Sequence, residues 1–183
     1  MKNAIAVFTA VIIFTFFFSF SSIAQISVGV KRYSKDTRLG IGLSAGKPTT
    51  YMFNSAIDAD IRWQKDVSSY VSVIANVGCT YFLRNDNTVD GGLGENIGFL
   101  PVKAGAKVFP MDRVYLSGEA GMAFGTTANQ PSSMVYAPGI GFEFHNGLDL
   151  GLRYESYTKY EIAKIAVKIA YGFSLHRQTG YSF

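Results

Sequence analysis

The sequence predicts an all-β chain, an eight-stranded antiparallel up-and-down transmembrane β-barrel behind an export signal. Three observations predict it. Segments alternating at period two recur beyond residue 25 with turn signals between them. Their connections alternate between tight turns and longer polar loops. One face of the segments forms an apolar series that no formal charge interrupts, while the opposite faces together carry charges of both signs.

The first 24 residues read as a secretory signal cleaved after Ala24: Lys2 is the only charge, an apolar run follows, and Ser22 and Ala24 supply small residues. The competing reading is an N-terminal anchor, since the run nearly reaches the roughly 18 residues a spanning helix needs. No cysteine stands at the cleavage point, which argues against a lipoprotein. The remainder, 25–183, suits one domain, with no room for a peptidoglycan-binding domain after the barrel. Its formal charge is +3, the +4 of the full chain less Lys2, spread without a Lys/Arg block, and no nucleic-acid partner is expected. Cys79 is the only cysteine, which excludes an intrachain disulfide and a cysteine-based zinc site. It falls on the apolar face of its strand and reads as a bland buried thiol.

The strands are expected at 38–47, 55–65, 69–83, 97–109, 113–125, 134–144, 147–157 and 162–175. Three joints are tight: 66–68, 110–112 and the pair His145 and Asn146. Three are longer and polar, at 47–54, 84–96 and 126–133, and the last, 158–161, is shorter. An even number of strands with short turns at one end and longer loops at the other is the pattern of a bacterial outer-membrane barrel. Strands of 11 to 13 residues, at about 3.3 Å per residue and a tilt of roughly 40°, span about 28 to 33 Å, enough to cross the apolar band.

Alternation alone does not say which face is buried. In "GLDLGLRYE" (Gly147 to Glu155), Leu148, Leu150, Leu152 and Tyr154 share one face, and Asp149, Gly151, Arg153 and Glu155 the other. A soluble barrel puts the leucines inside, whereas a membrane barrel puts them in lipid. The apolar face continues through Leu39, Ile41, Leu43, Ile57, Ile61, Val102, Leu116, Ile140, Val167 and Ile169 without a charge. A mid-bilayer Lys or Arg would cost about 2–4 kcal/mol on such a face, so lipid exposure would select this pattern. Two groups of rings read as interfacial girdles: Trp63, Tyr70, Phe109, Tyr115, Phe144 and Phe173 toward the short turns, and Phe53, Tyr81, Phe99, Phe124, Tyr136 and Tyr154 toward the longer loops.

The opposite face is expected to line a plugged lumen with a charge network of Asp58, Asp60, Arg62, Lys103, Lys107, Glu119, Glu143, Asp149, Arg153, Glu155, Lys164 and Lys168, with Arg38 near the start of the first strand. That is seven bases against six acids, interleaved with small residues such as Gly40, Gly42, Ser44, Gly105 and Gly121. An eight-stranded barrel has an interior only wide enough for side chains, and buried charges left unpaired are costly, so a near-balanced set fits a closed barrel.

The phrases "FLPVKAGAKVF" (Phe99 to Phe109), "YLSGEAGMAFG" (Tyr115 to Gly125), "APGIGFEF" (Ala137 to Phe144) and "GLDLGLRYE" resemble the outer-membrane β-barrel family of small eight-stranded proteins common in Bacteroidota. More distantly the architecture is similar to the transmembrane part of the OmpA and OmpX proteins. The resemblance spans roughly 38–175 and implies residence in the outer membrane among its lipid, insertion by the barrel-assembly machinery, and a monomer. Such barrels close on a strand ending in an aromatic. Lys168 to Leu175 fits, but His176 to Phe183 follows and also ends on a ring.

Catalysis finds little support. His145 and His176 are the only histidines, and neither has a recognisable nucleophile nearby. Asp58, Asp60 and Glu119 could suggest a metal or acid–base site, but nearby bases make salt bridges the simpler reading. The "GGLGENIG" segment, Gly91 to Gly98, lacks phosphate-loop spacing ahead of a helix. The expectation is a non-enzymatic barrel with no cofactor and no metal, structural or surface-interacting. A narrow channel, a lipid A-modifying enzyme and a soluble lipocalin-like binder are the alternatives.

Overall fold

The computed structural model describes residues 37–84, 96–127 and 129–175, and they form a closed barrel of eight antiparallel strands. These are β1 (Thr37–Pro48), β2 (Phe53–Asp66), β3 (Val71–Arg84), β4 (Ile97–Val108), β5 (Val114–Gly125), β6 (Ser133–Glu143), β7 (Leu148–Tyr157) and β8 (Ile162–Ser174). Each strand pairs with its neighbours in the chain, and β8 pairs with β1 from Arg38↔Ser174 to Pro48↔Lys164. Closure matters physically, because a barrel without an edge leaves no row of unpaired backbone groups to face lipid. Residues 1–36, 85–95, 128 and 176–183 lie outside the described residues, and with them the signal expected at 1–24, most of the connection expected at 84–96 and the segment after the closing strand.

Observed strand limits fall within two residues of those read from the sequence. One connection differs in kind. The expected eight-residue loop at 47–54 shrinks to 49–52, because β1 runs on to Pro48 and β2 starts at Phe53. The turn is held by Phe53 N–H donating to Thr50 O at 3.3 Å and Thr49 N–H donating to Ala163 O at 2.7 Å. At the opposite end, Ser68 Oγ accepts from the N–H groups of Tyr70 and Val71, at 3.2 and 3.0 Å. The β6–β7 turn needs Gly147, whose φ of 92° is a left-handed conformation that side chains rarely adopt.

Two prolines interrupt the wall. The β3–β4 ladder lapses between Val77↔Val102 and Thr80↔Phe99, at Pro101, and the β6–β7 ladder lapses between Tyr136↔Ser156 and Gly139↔Arg153, at Pro138. A proline has no N–H to give, and each ladder skips two residue pairs there without losing register. Elsewhere strands approach closely enough to exclude a side chain. A Cβ at Gly121 would sit 1.9 Å from Val102 O and one at Gly105 2.0 Å from Gly118 O.

Candidate functional site

The outward surface is apolar. Leu43 is 68% exposed, Ile61 59% and Val167 57%, and Leu39, Ile41, Ile57, Val102, Ile140, Leu152 and Ile169 face outward with them. The leucines of "GLDLGLRYE" lie on this side, and Asp149, Arg153 and Glu155 point inward. A soluble lipocalin-like barrel requires the reverse, because exposing side chains of this size to water forfeits about 1.5–3 kcal/mol each. Cys79 lies on the outward face and is half-buried between neighbouring side chains, so it is not the fully buried thiol expected.

Inside, the structure buries Asp58, Asp60, Arg62, Lys103, Lys107, Glu119, Glu143, Asp149, Arg153, Glu155, Lys164 and Lys168. Arg38 joins them partly exposed, and Asp66, which the sequence places in the 66–68 turn, joins them buried. Because β2 extends to Asp66, it continues the inward series of Asp58, Asp60, Arg62 and Gln64. The balance is therefore seven bases and seven acids.

The ion pairs sort into two groups. The first lies near the turn end: Arg38 pairs with Asp66 at 2.6 Å and with Glu143, Arg62 with Asp149 at 2.7 Å, and Lys107 with Asp149 at 2.6 Å and Glu143 at 3.0 Å. Three bases meet three acids there. Tyr115 Oη donates to Asp149 Oδ1 at 2.6 Å, and Lys107 Nζ stands 4.0 Å from the Tyr115 ring centre, a cation–π contact. Beside this group a cavity of about 10 Å³ is lined by Arg38, Arg62, Gln64, Glu143 and Asp149, with Gly40, Gly147 and Gly172 as its thin wall.

The second group occupies the middle. Lys164 pairs with Asp58 and with Glu155 at 3.4 Å, Lys168 with Asp60 at 2.7 Å, and Lys103 with Glu155 at 2.5 Å and Glu119 at 4.0 Å. Arg153 faces Glu155 at 3.2 Å, Asp58 at 3.7 Å and Asp60 at 4.0 Å. Four bases meet four acids, and Asn76 Nδ2 adds a bond to Glu119 at 2.5 Å. Asp58, Asp60 and Glu119 are thus engaged by lysines, arginine and asparagine. Among the described residues no group of three or more His, Cys, Asp or Glu side chains is arranged to hold a metal.

Among the described residues the loop end of the lumen is filled by an apolar cluster rather than by ion pairs. Phe53, Ala56, Phe82, Phe99, Ala123, Val135, Tyr157 and Ile162 form it, with Ile97 and Tyr160 against it. Phe99 stacks on Tyr157 at 4.9 Å, and the Phe82 ring meets Tyr157 edge-on at 5.5 Å. Tyr157 joins the two zones: its ring belongs to the plug, and its hydroxyl donates toward Thr80 Oγ1 at 3.1 Å and Glu155 Oε1 at 3.3 Å. Tyr160 Oη donates to Pro131 O at 2.6 Å, tying the 158–161 turn across the mouth to the β5–β6 loop.

This plug corrects the girdles. Phe53, Phe99, Phe109 and Tyr115 point into the barrel; Trp63, Tyr70, Tyr81, Phe124, Tyr136, Tyr154 and Phe173 face outward, with Phe144 half-buried. Three of the four were legible in the alternation: Leu100, Val108 and Leu116 face outward, so Phe99, Phe109 and Tyr115 beside them must face inward. The fourth was hidden by the register shift between Phe53 and Ser55, which turns Phe53 to the opposite side from Ile57 and Ala59. His145 is exposed in its turn, and His176 lies outside the described residues.

No family model matches the chain. No curated protein matches it either. Among solved structures it is similar to Ail, the attachment invasion locus protein of Yersinia pestis, at 16% identity and a TM-score of 0.54, over 77% of this chain and 100% of that one. Ail in complex with the heparin analogue sucrose octasulfate gives 16% identity and a TM-score of 0.52 over the same shares. A de novo designed transmembrane β-barrel gives 20% identity and a TM-score of 0.53, over 78% of this chain and 99% of the design. At these identities the likeness is one of fold, and the fold is that of a small eight-stranded transmembrane β-barrel.

Proposed function

We propose that this chain is an outer-membrane barrel with a closed lumen, without enzymatic activity, serving the cell envelope through its outer surface and loops as a structural or surface-contact protein. The observation that carries the reading is the filling of the lumen: two neutral ion-pair groups followed by an aromatic plug, with Tyr157 completely buried where they meet. The apolar outer face and the likeness in fold to Ail, a protein named for attachment and invasion, support the location and the surface role. In the same reading 1–24 is removed on export, the barrel-assembly machinery inserts 25–183 as a monomer among outer-membrane lipid, and the source is a member of the Bacteroidota.

Single-channel recording of folded 25–183 in a planar bilayer tests it. Insertion without conductance is expected. Steady ion conductance would overturn the closed lumen in favour of a narrow channel lined by these charges. An altered lipid A profile in cells overproducing the protein would overturn the non-enzymatic reading, and deletion is expected to change envelope permeability or surface binding.

A further inference from the structure

We propose that the middle of the lumen encloses a water-binding site, in which at least one water molecule bridges Arg153 to the carboxylates of Asp58 and Glu155. Four buried side-chain atoms in this group have no hydrogen-bond partner: Arg153 Nε and Nη1, Asp58 Oδ2 and Glu155 Oε2. The Arg153 side chain is 6% exposed and that of Glu155 0%, so bulk solvent does not reach them.

The distances point the same way. Arg153 makes a hydrogen bond through Nη2 to Ser44 Oγ, at 3.4 Å. Its carboxylate neighbours stand at 3.2, 3.7 and 4.0 Å, longer than the about 2.7–2.9 Å of a strong charge-assisted hydrogen bond, and Glu155 Oε2, the nearest of them, has no hydrogen-bond partner. Near the turn end the same chemistry closes directly, with Arg62 on Asp149 at 2.7 Å and Arg38 on Asp66 at 2.6 Å. Among the buried arginines of the described residues the looseness is therefore particular to Arg153. β1 passes this level with Gly42 and Ser44 as its inward residues, and Lys168 and Asp60 pack against Gly42, where an added Cβ would lie 2.8 Å from Lys168 Cε and 3.0 Å from Asp60 Oδ1.

Charge selects the occupant. Lys103, Arg153, Lys164 and Lys168 balance Asp58, Asp60, Glu119 and Glu155. A cation would meet one arginine and three lysines, and an anion would meet four carboxylates. A small neutral molecule that both donates and accepts satisfies the guanidinium N–H groups and the carboxylate oxygens together, and buried water in proteins makes about three such bonds. The lumen is then wet in the middle and dry at the plug, a property independent of the role proposed above for the barrel.

A crystal structure of the unaltered protein, at a resolution that shows ordered water, tests this, together with NMR of the wild-type barrel in micelles. The expected result is a water within hydrogen-bonding distance of Arg153 Nε or Nη1 and of Asp58 or Glu155, and a water cross-peak to the Arg153 Nε–H. Three results would overturn it: Arg153 closed directly onto Asp58 and Glu155, an ion in the site, or an Arg153 Nε–H resonance without a water cross-peak. No variant has to fold for either measurement.

Discussion

The two halves of the lumen solve one packing problem by opposite means. Toward the turn end and through the middle, long charged side chains from facing strands fill the space and cancel one another, as Lys168 from β8 does on Asp60 from β2 at 2.7 Å. Toward the loop end, rings fill the same cross-section, as Phe99 from β4 does on Tyr157 from β7 at 4.9 Å. The difference lies in what each tolerates. A ring cluster loses stability in proportion to the volume removed, whereas an ion network depends on balance and fails when one partner is deleted.

The largest effect is expected from breaking balance. Lys164→Met removes the cation shared by Asp58 and Glu155 and leaves both carboxylates short of a partner, at a cost of about 3–5 kcal/mol. Urea unfolding of the detergent-folded barrel measures it, and a loss below that of Phe99→Ala would reverse the ranking of the two zones. Phe99→Ala is expected to cost about 3 kcal/mol, the low end for a buried ring, because Ile97 and Tyr160 can settle into the space. The smallest effect should come from removing a pair together. Lys168→Met with Asp60→Leu keeps the middle group neutral and is expected to move stability by less than about 1 kcal/mol, while either change alone costs more. Equal losses for the single and the double replacement would show that the pairing carries none of the stability. Conductance sharpens the comparison further: Phe99→Ala together with Tyr157→Ala should leave the bilayer current silent, because the ion groups still block the lumen, and a current would assign the seal to the plug alone.

Much of this was legible because alternation is a local property. Which residues of β2 and β7 share a face follows from counting by two, and the outward face, which among the eight strands is charged only at the strand-end residues Lys47 and Lys65, marks the lipid side before any contact is known. The inward positions of the twelve network residues follow from the same count. For Phe99, Phe109 and Tyr115 parity outweighs ring type, and the rings turn inward away from the girdles expected of them. Asp66 belongs to the inward series because β2 runs one residue past the expected strand end at 65.

Strand number, the inward and outward face of each strand, and the kind of side chain each presents follow from the amino-acid order alone, since these depend on period and composition along one segment. Only the tertiary structure decided who meets whom: that Glu155 takes Lys103, Arg153 and Lys164, that the rings of β2, β3, β4 and β7 converge into a plug, and that a register shift sends Phe53 to join them. Those meetings depend on barrel closure and on the stagger between strands. Both are set by pairing between segments distant in sequence, and no local pattern encodes that pairing.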